Sequence, residues 1–295
     1  MYTSVFSPDD TRLVTSAEES TLLVWDVKSC GVAAELKGHE GPVLLAKFSP
    51  NGRRLVTASS ENTARLWDPI SNTLVAELRG AENDLEWWRT IFSPDGKAIV
   101  TTHDSDGSVY LWDSETGAAI AELEGKDSFA FSIDSLRLAT VSSKSEVKIW
   151  DSRSGAAVNS FPGKSYPSHS SVSFSHDGRY VVTVGEYEAE VAYVESGIVI
   201  AKLESRTRFM DSAQFGPDDR EVWTTSADGT ITIWRIPHCN DAIESAKKIV
   251  PRQLSDAERA RFFLQTQNTG VLVNAYNKIR PWIAWAMPAS ADVCR

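Results

Sequence analysis

Residues 48–52 read Phe-Ser-Pro-Asn-Gly, and residues 92–96 read Phe-Ser-Pro-Asp-Gly. The phrase also stands near the start as Phe6-Ser7-Pro8-Asp9. It returns, worn, as Phe131-Ser132-Ile133-Asp134, Phe174-Ser175-His176-Asp177-Gly178 and Phe215-Gly216-Pro217-Asp218. Successive phenylalanines lie 42, 44, 39, 43 and 41 residues apart. A second marker keeps the same beat: Trp25-Asp26, Trp67-Asp68, Trp112-Asp113, Trp150-Asp151 and Trp234-Arg235, with Tyr193 read at the matching place in the fifth unit. Two markers in register divide the chain into six like units, and a fixed period of about forty residues signals an array of supersecondary elements.

Inside one unit the grammar is that of short strands. Val43 to Phe48 is an apolar run, and Ser49-Pro50-Asn51-Gly52 is a turn with Pro and Gly where special dihedrals are needed. Arg54 to Ala58 is rich in strand formers, Ser60-Glu61-Asn62 turns, and Thr63 to Trp67 alternates. Pro69 to Asn72 turns again, and Thr73 to Leu78 makes a fourth strand. Four antiparallel strands give one twisted sheet with apolar faces, so each sheet must stack on neighbours, as six arranged in a ring would.

The rest of the composition narrows the function. The 295 residues are 42% hydrophobic and 24% charged, a globular balance. Forty acidic against thirty basic residues give a net charge of −10, which disfavours nucleic acid and anionic lipid. The charge is uneven: residues 236–295 hold eight Lys/Arg and five Asp/Glu, so residues 1–235 carry −13. That shift marks a boundary near residue 236. Cys30, Cys239 and Cys294 have no pairing or zinc spacing. Neither a signal peptide nor a run of about twenty apolar residues is present, so the expectation is a cytoplasmic protein with no membrane partner.

The repeated phrase and its Trp-Asp partner resemble the WD-repeat β-propeller family over residues 1–236. The resemblance implies an all-β fold, a β-propeller of six WD-like four-stranded blades, incompletely closed. A short helical or irregular C-terminal extension follows at 237–295. In that family a Gly-His pair, a Ser or Thr, a turn acid and the Trp form a relay that stiffens each blade. Only Gly38-His39 keeps the dipeptide here; the matching places read Gly80-Ala81, Gly125-Lys126 and Gly163-Lys164. The turn acid is Glu19, Glu61, Asp106 and Asp228, with Lys144 in the fourth unit. The resemblance therefore implies the blades without a full relay in each. The sixth unit ends at Trp234-Arg235-Ile236-Pro237 without an evident fourth strand. Two closures are open: upstream residues of a longer protein, the favoured expectation, or a strand at Val271-Leu272-Val273.

In the extension, Asn240-Asp241 can cap a helix that Pro251 stops, and Ser255 with Glu258 forms a capping box for a second. The stretch from Ile249 to Leu264 resembles a tail found after WD repeats in large bacterial multidomain proteins. No nucleophile elbow, zinc helix or dinucleotide loop occurs. Gly163-Lys164-Ser165 imitates the end of a phosphate loop, but Val158 stands where its leading Gly belongs. Asp104-Ser105-Asp106-Gly107 lacks the distal Glu of a calcium loop. No catalytic, cofactor or metal residue is assigned.

The expected function is a non-enzymatic protein–protein interaction scaffold using loops on one propeller face. The candidate contact residues are Trp88, Glu82, Tyr166, Arg206, Arg208, Glu61, Asp106 and Asp228, in turns and connections that the resemblance places together. Trp87 matches the core position of Val43, so Trp88 points the other way. An acidic face suits a basic protein partner. The alternatives are a sensor module of a larger bacterial signalling ATPase or protease, and a propeller enzyme with a site in its channel. The second is disfavoured because the innermost strands read Val5, Val43, Phe92, Phe131 and Val172.

Overall fold

A computed structural model describes residues 3–17, 20–61, 63–79, 89–102, 108–125, 128–142, 144–163, 171–205 and 209–236. The fold is all-β, with no helix among the described residues. Sheet 1 is built from β1 to β4 (Ser4–Phe6, Arg12–Ser16, Leu22–Asp26, Gly31–Leu36), and sheet 2 from β5 to β8 (Val43–Phe48, Leu55–Ser59, Ala64–Asp68, Thr73–Leu78). Sheet 3 holds β9 to β12 (Arg89–Phe92, Ala98–Thr102, Ser108–Asp113, Ala119–Glu124). Sheet 4 holds β13 to β16 (Ser128–Phe131, Arg137–Val141, Glu146–Asp151, Ala157–Pro162). Sheet 5 holds β17 to β20 (Ser171–Phe174, Tyr180–Val184, Glu188–Tyr193, Val199–Glu204), and sheet 6 holds β21 to β23 (Met210–Phe215, Glu221–Ser226, Ile231–Arg235). Each is an antiparallel meander; five have four strands, and the sixth has three among the described residues. The strand at Val271–Val273 and the two tail helices lie outside the described residues.

The Ser-Pro-Asp phrase is a turn whose serine is an internal cap. Ser49 is fully buried; its hydroxyl donates to Asn51 at 2.7 Å and accepts the Arg54 amide at 2.9 Å. Ser7, Ser93, Ser132 and Ser175 repeat the arrangement. Gly52 closes the turn at φ +69°, a left-handed conformation that costs an L side chain strain. In three other copies Asp10, Ser135 and Asp219 accept that strain, at φ +56°, +60° and +58°, each with its amide bonded back to the carbonyl three residues earlier, as in Gly52.

One reading of the markers needs correction. The register Leu55↔Trp67 in sheet 2 corresponds to Val181↔Ala192 in sheet 5, and the ladder irregularity falls at Leu66/Trp67 and Val191/Ala192 alike. Ala192, not Tyr193, stands where the tryptophan belongs; Tyr193 stands in the place of the aspartate. The packing accommodates the loss from the other side. Phe161 occupies the position held by Leu36, Leu78, Leu123 and Leu203 in the other four-stranded sheets, and it shares a buried cluster with Ala192.

The core is a series of slabs between consecutive sheets. Sheet 1 meets sheet 2 through Val14, Leu22 and Val24 on one side and Leu55 and Trp67 on the other. The same two kinds of face meet between sheets 2 and 3, 3 and 4, 4 and 5, and 5 and 6. Burying apolar side chains at about 25 cal/mol per Å² makes these slabs the main stabilising term. Among the described residues no such cluster joins sheet 6 to sheet 1.

Candidate protein-binding face

In each meander the turn between the second and third strands and the connection to the next sheet lie at the same end, opposite the Ser-Pro-Asp turns. Backbone bonds tie the two together: Gly163 to Ser145 at 2.7 Å, Ser60 to Pro42 at 3.1 Å and Met210 to Glu186 at 3.0 Å. Of the candidate contact residues, Glu61 and Asp228 lie at this end.

Glu61 is placed there, but its carboxylate is turned inward. In sheet 2 the Trp67 indole donates to Thr57 Oγ1 at 2.9 Å, Thr57 faces His39 Nε2 at 2.7 Å, and His39 Nδ1 meets Glu61 Oε1 at 2.6 Å. The neutral imidazole with its proton on Nδ1 satisfies the whole line: the Thr57 hydroxyl donates to Nε2, and Nδ1–H donates to the carboxylate. Burial opposes the Glu61 charge, yet hydrogen bonds from Thr63, His39 and the Glu40 amide outweigh it and lower its pKa to about 2. Burial lowers the His39 pKa, with the Glu61 hydrogen bond opposing. Arg65 extends the network, donating to Glu61 at 3.1 Å and to Glu77 at 2.5 and 3.0 Å.

Sheets 1, 3, 4 and 6 keep the indole-to-threonine bond, through Trp25–Thr15, Trp112–Thr101, Trp150–Thr140 and Trp234–Thr224, each at 2.9 Å. Among the described residues, only in sheet 2 does the indole-to-threonine bond run on through a histidine to a carboxylate. Glu61 thus serves the sheet. Asp228 shapes the sheet 6 turn by accepting from the Thr230 amide at 3.0 Å and hydroxyl at 2.6 Å. Trp88, Glu82, Tyr166, Arg206, Arg208 and Asp106 fall outside the described residues, as do Trp87 and the Asp104–Gly107 loop.

An aromatic pair at this end was not singled out from the sequence as a pair. Tyr187, in the turn between β18 and β19, and Phe209, just before β21, are 42% and 45% exposed. Their rings stack with centroids 4.7 Å apart and planes inclined by 34°. Three backbone bonds pin them: Ser205 to the Tyr187 carbonyl at 2.7 Å, Met210 to Glu186 at 3.0 Å and Ala227 to the Phe209 carbonyl at 3.2 Å. The two residues are 22 apart in sequence, and only the packing of sheet 6 on sheet 5 joins them. Among the described residues no group of His, Cys, Asp and Glu is arranged to hold a metal ion, and no helix is long and apolar enough to cross a membrane.

Residues 2–26, 31–68 and 72–113 match the family described as WD domain, G-beta repeat. These matches across residues 2–113 are consistent with a WD-repeat protein; the first spans β1 to β3, and the second and third each begin at the last strand of one sheet and run through the first three strands of the next. Comparison with curated proteins gave no match.

Proposed function

We propose that the six sheets are blades of a β-propeller and that the chain is a non-enzymatic platform for protein–protein interaction. WD repeats generally mediate such contacts. The contact face is the end that carries the turns after the second strands and the connections between sheets. Tyr187 and Phe209 anchor it, with Trp88, Glu82, Tyr166, Arg206, Arg208, Asp106 and Asp228 around them. The observation that carries the reading is that pinned, exposed aromatic pair. Exposed aromatics of fixed geometry gain contact area at little ordering cost. The net charge of −10 favours a basic protein partner and salt-sensitive association in a cytoplasmic setting.

The test compares affinity capture by wild type, by a Tyr187→Ser/Phe209→Ser double variant, and by Ile133→Ser, a change at an exposed Ser-Pro-Asp-type turn of the opposite end. The expected result is a protein partner retained by wild type and Ile133→Ser, lost by the double variant, and released by salt. Equal recovery of every partner by all three proteins refutes the assignment of this face.

A further inference from the structure

Each backbone bond that pins the Tyr187–Phe209 pair also brings an acidic residue to within one position of it. Tyr187 lies between Glu186 and Glu188, and its carbonyl accepts the amide of Ser205, which follows Glu204. The Glu186 carbonyl accepts the amide of Met210, which precedes Asp211. The Phe209 carbonyl accepts the amide of Ala227, which precedes Asp228. Glu204, Asp211 and Asp228 are exposed, and Glu186 and Glu188 are half-buried. Basic residues are fewer in the same stretches. Lys202 is taken up by Glu190 at 2.9 Å. Arg206 and Arg208 lie in the connection outside the described residues, so the acids outnumber the remaining basic residues by five to two.

The ladder beside the pair concentrates that charge. Glu188 stands opposite Glu204 across β19 and β20, and Glu190 stands opposite Lys202 two residues along on the same face. Like charges directly opposed in a sheet repel. The Lys202 pKa is raised, first by its hydrogen bond to Glu190 and further by the charges of Glu188 and Glu204. One ammonium group therefore serves three carboxylates beside an exposed aromatic pair.

Resting on the contact face proposed above, we infer that the Tyr187–Phe209 pair receives an arginine side chain of the protein partner, stacked on the exposed rings with its N–H groups turned to the surrounding carboxylates. The face of an aromatic ring is negative and attracts a cation. The carboxylates add to that attraction, and they repel an acidic or phosphorylated segment. An apolar side chain would gain the rings but would take water from the carboxylates without returning a hydrogen bond. A lysine ammonium brings charge without a plane. The guanidinium is planar, weakly hydrated and carries five donors, so it lies on a ring and reaches carboxylates together. Rings held 4.7 Å apart by backbone bonds are already ordered for it.

The experiment is an NMR titration of the 295-residue chain with the blocked tripeptide acetyl-Gly-Arg-Gly-amide. Two further peptides replace the arginine with lysine or with citrulline, its uncharged isostere. Arginine is expected to shift Tyr187, Phe209 and the residues bonded to them, with citrulline about tenfold weaker and lysine also weaker. Tyr187→Leu/Phe209→Leu keeps the charge and the apolar bulk and should bind arginine about tenfold more weakly. Glu204→Gln/Asp211→Asn keeps the rings; it should bind about threefold more weakly and with less dependence on salt. Circular dichroism checks each variant for native strand content, and the second variant, altered only at exposed polar positions, carries the test if the first does not fold. Shifts scattered over the acidic surface, equal binding of the lysine or citrulline peptide, or undiminished binding by either variant would overturn the inference. The capture experiment judges the face separately. A partner lost by Tyr187→Ser/Phe209→Ser, with no arginine peptide bound at the pair, overturns the arginine and leaves the face standing. Arginine bound at the pair with every partner still recovered overturns the face.

Discussion

Thr57→Val tests the relay with the least disturbance of shape. Thr57 is 0% exposed, and its hydroxyl lies 2.9 Å from the Trp67 indole nitrogen and 2.7 Å from His39 Nε2. Valine fills the same volume and leaves no cavity, so the cost is polar. Two hydrogen bonds are lost, and the indole N–H and the imidazole nitrogen stay buried without partners: Trp67 is 3% and His39 5% exposed. A net hydrogen bond is worth about 1 kcal/mol and an unsatisfied buried group costs about 1–3, so the loss comes to about 2–4 kcal/mol. Thr15→Val in sheet 1 is the internal control. It breaks a bond of the same 2.9 Å length, but to Trp25, which is only half-buried and which water can reach. That control costs about 1 kcal/mol or less. Equilibrium urea unfolding followed by circular dichroism reads the difference, provided the slope on denaturant is unchanged. Equal losses for the two variants, or less than about 1 kcal/mol for Thr57→Val, would refute the view that the relay stabilises sheet 2.

Acid should act in two stages. The His39 pKa is lowered from 6.5 in the fold, so the unfolded chain takes up a proton first and stability declines as pH falls below 6.5. The Glu61 pKa is lowered from 4.5 to about 2, so its contribution, complete above 4.5, is lost as pH falls toward 2. Melting temperatures should therefore decline first below 6.5, and His39→Gln should remove that stage; the same profile in the variant counts against it. Gly197 and Gly229 both have positive φ, at +67° and +79°, but a Cβ on Gly197 lies 2.5 Å from Phe161 Cβ, whereas Gly229 has nothing within 4 Å. Gly229→Ala should cost about 1 kcal/mol of backbone strain and Gly197→Ala distinctly more, which thermal unfolding of the pair decides; similar losses contradict the contact. Ala192→Trp restores the missing marker residue, yet it should destabilise by about 1–3 kcal/mol because Phe161 already packs there. A gain in melting temperature would show that space remains.

Two phrases read along the chain sufficed for the repeat, the strand order and the turns, because each is set by contacts within a few residues. Ser49 caps its own turn, Gly52 supplies its own dihedral, and apolar alternation decides which side chains of a strand share a face. The relay in sheet 2 was legible as far as Gly38-His39 and Glu61 were named, and the absence of the dipeptide elsewhere matches indole-to-threonine bonds that run on to no histidine among the described residues. Tyr193 was misassigned because an aromatic beside the expected place outweighed the count to the following glycine: Ala192 precedes Gly197 by the same interval as Trp112 precedes Gly117. That count was available in the sequence.

What no local pattern could supply is the pairing of one sheet with the next. Tyr187 and Phe209 each look like an ordinary turn residue until two sheets pack and bring their rings together. Likewise Trp223, Ile231 and Ile233 read as core by the alternation of their strands, as their counterparts in the other five sheets are, yet they stand 39%, 67% and 57% exposed among the described residues. Burial is a property of a residue and its neighbour together, so the sequence determined which faces are apolar, and only the tertiary structure decided which of them are covered.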